Sequence, residues 1–356
     1  DPTIAGGTGI VLNSGNTLRG LIGGSVNGFS ISGGAVGSLT ISESAINNTT
    51  GGGISITTSG ALNVTLDSLT STGGANGINL NGTTGNFAAN GGAISGSTGT
   101  AFNVSGGTGI ISYAGTINKA NNAQRPVSVA NKTGGSVTFT GRITANPEPT
   151  TPTTFPLGIS LTNNTGSTVN FQGGLALSTG ANPAFTATGG GTVNVTGTGN
   201  TITSTTGRAL NVANTTIGAS GLTFQSISTN GAVNGILLNN TGSGGLTVTG
   251  NSSGLCGGRV TPSGTVGVPP TVTTANSADC TGGTIQSTTG DAISLTNAAN
   301  VSLTRMRILN ISGANNGGID GNNLGGSNFF RNSQMDNVAS DASNGNGISL
   351  INTTTP

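Results

Sequence analysis

The sequence predicts an all-β solenoid, a parallel β-helix of about 13 turns with about 25 residues in each. Three observations carry this. One phrase recurs: "GISLTN" (Gly158–Asn163) returns as "AISLTN" (Ala292–Asn297) and as "GISLIN" (Gly347–Asn352). Apolar residues alternate with polar ones in short runs, the pattern of half-buried strands. No window carries helical periodicity, and with 66 glycines in 356 residues a helix would be destabilised nearly everywhere.

The repeat is located by the first apolar residue of each apolar-polar-apolar phrase. These anchors are Ile10, Phe29, Ile54, Ile78, Phe102, Val127, Ile159, Ala184, Leu210, Ile236, Ile293, Ile319 and Ile348. Most steps are close to the mean period. Two are long, and each contains an insertion: residues 144–156 ("TANPEPTTPTTFP") and residues 251–281, which hold both cysteines. Each period carries a second apolar phrase, such as "VTF" (Val137–Phe139), "VNF" (Val169–Phe171) or "VNV" (Val193–Val195). An isolated apolar residue often follows, such as Ile117, Ile143 or Ile202. A period therefore reads as two or three short strands joined by Gly/Asn/Ser/Thr turns.

One such unit cannot bury its own apolar face. Stacked units can, if each strand pairs in register with its copy in the next turn. The chain then forms one elongated domain over residues 1–356, a rod on the order of 60 Å long at about 4.8 Å per turn. Phe139 and Phe171, in consecutive turns, would lie one above the other. The same geometry explains why only 5% of residues are charged. Like charges about 4.8 Å apart repel by roughly 1 kcal/mol even in water, whereas hydroxyls and amides can bond along a column.

Four residues after the anchor stand Asn131, Asn163, Asn214, Asn240, Asn297, Asn323 and Asn352. Asn tolerates the left-handed conformation of a tight turn, and stacked amides can bond to one another. The spacing predicts an asparagine ladder at the turn after this strand. Cys256 and Cys280 share one irregular stretch. A disulfide between them would close a loop of about 25 residues and contribute roughly 3 kcal/mol in the chain-entropy model. The alternative is two free thiols in a loop.

The "GI-x-L-x-N" phrases and the "V-x-V/F" strands resemble the right-handed parallel β-helix proteins of the pectin-lyase-like superfold. The likeness is greatest to bacterial surface repeat proteins and secreted adhesins, and it covers nearly the whole chain. Right-handedness follows from this resemblance and from the preference of parallel crossovers. The superfold hosts enzymes, adhesins and tailspikes, so it fixes fold better than function.

Chemistry has few candidates. The chain has no histidine, so triads that use one are excluded. Two cysteines do not make a zinc site. Lys119 and Lys132 each follow an Asn, so neither completes a phosphate loop. β-Helix enzymes that cut polysaccharides use clustered carboxylates, sometimes with calcium and an arginine base. The acids here are Asp1, Glu43, Asp67, Glu148, Asp279, Asp291, Asp320, Asp336 and Asp341, scattered along the sequence. Asp291 and Asp320 fall at different offsets from their anchors and are read as not facing each other. Asp336 and Asp341 are the best remaining pair for hydrolysis, which needs two acids about 5–9 Å apart. "GGIDGNN" (Gly317–Asn323) is similar to calcium-binding glycine-aspartate repeats but reads as a polar turn, since calcium takes about six to eight oxygens. Arg305, Arg307 and Arg331 could form a stripe for an acidic glycan, or pair internally with Asp320 and Asp336. The outward Ser/Thr/Asn pairs are too mixed for an ice-binding array.

These features favour a non-enzymatic structural or adhesive solenoid, extracellular or on a bacterial surface, that presents its two insertions and uses no cofactor or metal. The alternatives are a self-assembling filament subunit and a polysaccharide lyase or hydrolase. Expected partners are a second copy stacked end to end, or surface glycans and proteins. A net charge of +1 gives no reason to expect nucleic acid, and no apolar run is long enough to span a membrane. The chain has no initiator Met and no signal peptide, and it reads as processed or as part of something longer.

Overall fold

The structure is a computed structural model. It describes residues 3–120, 123–146, 154–261, 263–265, 267–311, 316–338 and 347–352. The described chain is an all-β solenoid of about 13 turns. Three strands make a typical turn. Phe102–Ser105, Ile110–Tyr113 and Thr116–Lys119 pair in parallel with Val127–Ala130, Ser136–Phe139 and Ile143–Ala145 of the next turn. Those in turn pair with Ile159–Thr162, Thr168–Phe171 and Leu175–Ser178. The rod thus has three faces, taken in this chain order, and a corner follows each. Near the start two 20-residue strands, Phe29–Asn48 and Gly52–Ser71, run round the corners unbroken. Among the described residues the only helix is a short 3-10 turn, Ser277–Asp279.

Burial alternates along most strands of the rod, as in Ile159–Thr162, where Ile159 and Leu161 face inward and Ser160 and Thr162 outward. The inward residues form one continuous apolar core. Aromatic rings stack within it. Phe139 and Phe171 lie parallel at 5.2 Å, 10° apart, and Phe102 meets Phe139 edge-on at 4.9 Å. Offset and edge-on pairs of this kind add to plain area burial.

Two anchors are shifted. Ile31, not Phe29, pairs with Ile10 and with Ile54. Phe185, not Ala184, pairs with Ile159 and with Leu210. Ala184 belongs to a different column, just before the first face. Gly53, Gly77, Ala101, Gly158, Ala184, Ala209, Gly235, Ala292 and Gly318 all occupy this buried position. Space there is short: a Cβ on Gly158 would come within 1.9 Å of the Ala184 carbonyl oxygen. The leading Gly or Ala of the recurring phrase is therefore a packing requirement.

The first corner needs a left-handed residue. Asn131, Asn163, Asn214, Asn240, Asn297 and Asn323 all have φ between 48° and 57°. In other turns Gly82, Gly106 and Gly189 take the same slot, with φ of 64°, 67° and 80°. Asn and Gly are the residues that reach this conformation at least cost.

Candidate functional site

The asparagine column is a hydrogen-bonded ladder in two runs. Asn163 Nδ2 donates to Asn131 Oδ1 at 3.5 Å. Asn240 donates to Asn214 (2.9 Å), Asn297 to Asn240 (2.6 Å) and Asn323 to Asn297 (2.7 Å). Gly189 interrupts the two runs, and the Asn163 amide leans over it. Asn352 stands at the same offset and is exposed. Each of these four donors reaches back to the preceding turn. The outward columns repeat this in Asn103 to Asn79 (2.9 Å) and Asn194 to Asn170 (2.9 Å). This is structural hydrogen bonding along the rod.

The departure from repetition is the segment 251–281. It leaves at the second corner, after Leu246–Val248, and the chain resumes on the third face at Gly283–Gln286. Cys256 and Cys280 close its base with a disulfide. Asp279 ties the base further, accepting from Ser252 Oγ (2.7 Å) and Asn276 Nδ2 (2.9 Å). Asn332, on a later turn of the rod, accepts from Gly257 N (3.1 Å) and donates to Gly254 O (3.0 Å). Beyond this base, Arg259–Thr261 and Thr271–Thr273 form an antiparallel ribbon separate from the rod's sheet. Thr271–Thr273 is wholly exposed, as is Val268. Residues 251–281 are thus an arm with a fixed root and a bare tip. The sequence marks the segment only as an interruption; neither its hairpin nor the clasp by Asn332 has a repeated pattern to read. Of the other insertion, residues 144–156, positions 147–153 lie outside the described residues; its first two residues, Thr144 and Ala145, belong to the third-face strand Ile143–Ala145.

The three arginines have separate local partners. Arg307 Nε donates to Asp336 at 3.0 Å and forms an ion pair with it. Arg331 lies 4.1 Å above the Phe329 ring, a cation–π contact. Arg305 Nη1 reaches Thr249 O at 3.4 Å. Of the internal pairings expected with Asp320 and Asp336, Arg307–Asp336 is the ion pair among the described residues.

The acids are similarly dispersed. Glu43 pairs with Arg19 at 2.7 Å on the surface. Asp1, Glu148 and Asp341 lie outside the described residues. Asp291 lies just before the first-face strand Ile293–Thr296, and Asp320 lies on the first-face strand of the next turn. Burial pushes the Asp291 carboxyl up, the Gly317 N–H (2.7 Å) pulls it back, and the Asp320 charge pushes it up again. Ile319–Asn322, inside the glycine-aspartate phrase, is a first-face strand and not a turn. Ile319 faces the core and Asp320 sits outward, opposite Ser294. Among the described residues no three acidic or cysteine side chains gather as a metal site, and no helix is long and apolar enough to cross a membrane.

The geometry defines a class, the parallel β-solenoid repeat proteins. Comparisons with protein-family models, with curated proteins and with solved structures find no match for the chain.

Proposed function

We propose that the chain is a non-enzymatic extracellular rod whose task is to hold the arm at residues 251–281 away from its own surface. The arm carries this reading. Its root is fixed by a disulfide, by Asp279 and by Asn332, while its ribbon is exposed. Loops on a rigid scaffold are the usual place for recognition. Disulfides persist in oxidising compartments, which supports an extracellular setting. Bacterial surface adhesion is the form of this function that the repeat pattern favours.

Beads coated with the chain should adhere to glycan- or protein-coated surfaces. Beads coated with a chain whose residues 251–281 are replaced by a short turn should not. Equal adhesion of the two would remove the arm from the function. Cleavage of any member of a neutral and acidic polysaccharide panel would refute the non-enzymatic reading.

One observation favours a second reading, a filament subunit. On the last described turn Ile348, Leu350 and Ile351 are 47%, 63% and 55% exposed. A second copy stacked there would cover them, as would a further turn of the same chain. Sedimentation at rising concentration should then show an end-to-end series; a single monomeric species throughout would exclude it.

A further inference from the structure

The chain has two lysines, Lys119 and Lys132, and both are inside the rod, 1% and 0% exposed. Lys119 ends a third-face strand, in register with Ala145, which is in register with Leu177. Its ammonium donates to Ser97 O and to Gly99 O (2.6 Å) in the turn before. Lys132 follows the corner residue Asn131, and its Nζ donates to Gly109 O at 2.9 Å. The equivalent slot in later turns holds Asn164, Thr215 and Thr241. Asn164 caps Val129 O with a neutral amide, and Thr215 caps Ala213 O with a hydroxyl. The fold therefore has neutral ways to fill both positions, and at these two it holds an ammonium.

No carboxylate offsets either charge among the described residues, where the ion pairs are Arg19–Glu43 and Arg307–Asp336. Among the described residues the Lys119 ammonium meets main-chain carbonyls, and its strand partner is Ala145. The groups meeting Lys132 are main chain and Asn164, whose Oδ1 accepts from the Lys132 N–H at 3.1 Å. Among the described residues three other ionisable groups lie on the same turns: Tyr113, Arg125 and Arg142, whose carbonyl accepts from Ile117 N (3.0 Å). Arg125 donates to Gly158 O (3.2 Å) and keeps its charge throughout the range that matters. Tyr113 donates to Leu69 O (3.0 Å).

We propose that Lys119 and Lys132 form a proton-controlled lock that loosens the middle of the rod at neutral pH and tightens it in mildly alkaline solution. Keeping an ammonium away from water is costly, and losing the proton relieves that cost. Burial pushes both groups from 10.5 down to about 8. A folded value below the unfolded one means that the unfolded chain binds more protons in between, so stability rises with pH across that interval. The penalty is present in full below about pH 8 and relieved on the way to 10.5. Burial pushes the Tyr113 phenol up, which opposes the trend above about pH 10, where an unfolded tyrosine ionises.

Urea unfolding of the full chain across the neutral-to-alkaline range tests this. The midpoint should rise between about pH 8 and pH 10. In the variant carrying Lys119→Met and Lys132→Asn that rise should vanish, whatever the variant's overall stability. A flat or falling wild-type midpoint would overturn the proposal, and so would an undiminished rise in the variant. Should the variant not fold, a difference titration of wild type decides. The folded chain must release its lysine protons at lower pH than the same chain in urea; coincident titrations would contradict the lock.

Discussion

The rod and its arm solve opposite problems with the same chain. In the rod, an inward residue meets copies of itself above and below, as Val137 meets Ile111 and Val169. A column must suit all its members, so charge is nearly absent and small residues recur wherever turns touch. The arm has no copy. Its ribbon runs antiparallel and is exposed, and its order comes from one covalent bond and a few side-chain clasps. Repetition stabilises through neighbours, whereas the arm is held at its root. A change in the rod should therefore spread, and a change in the arm should stay local.

The largest effect should come from the stacked rings. Phe139→Ala removes a side chain that packs on both Phe102 and Phe171. It should cost about 3–5 kcal/mol in urea unfolding, with the whole rod losing stability together. Replacing Cys256 and Cys280 by Ser should cost about 2–4 kcal/mol but should be read first at the arm. Protease cleavage near Arg259–Thr273 should accelerate before the far-ultraviolet β signal changes. If the rod melts before the arm is cut, the two regions are not separable in this way.

The corner is the next step down. Asn240→Ala loses amide bonds to Asn214 and Asn297 and leaves at φ 53° a residue without the polar side chain by which Asn tolerates that conformation. It should cost about 2 kcal/mol. Asn240→Gly keeps the conformation and loses only the bonds, so about 1 kcal/mol is expected. The gap between the two isolates backbone strain from the ladder. The smallest effect should be Arg307→Ala, which breaks a partly exposed ion pair with Asp336. It should change stability by less than about 1 kcal/mol, and by less still in high salt.

Legibility follows the same division. The strand phrases, the period, the Phe139–Phe171 stack and the asparagine column are readable because each recurs. Register fails where two apolar residues adjoin or nearly so. Ala184–Phe185 offers two anchors, and only the small-residue column decides between them. In Phe29–Ile31 the first apolar residue is the wrong choice. The glycines at the first corner, Gly82, Gly106 and Gly189, escape notice because Gly is common everywhere in this chain. Of the buried lysines, Lys119 stands two after Ile117 on the inward side of the alternation, whereas Lys132 follows a corner and has no repeated pattern to read. The burial of Lys132 depends on which side of the corner faces the core.

The most direct measurement is the equilibrium unfolding of a chain in which residues 251–281 are replaced by a short turn. If the rod is stabilised by repetition and only presents the arm, this chain keeps its far-ultraviolet β signal and one cooperative transition near the wild-type midpoint. Loss of that signal, or a broad transition at much lower urea, would show that the arm is part of what holds the rod together.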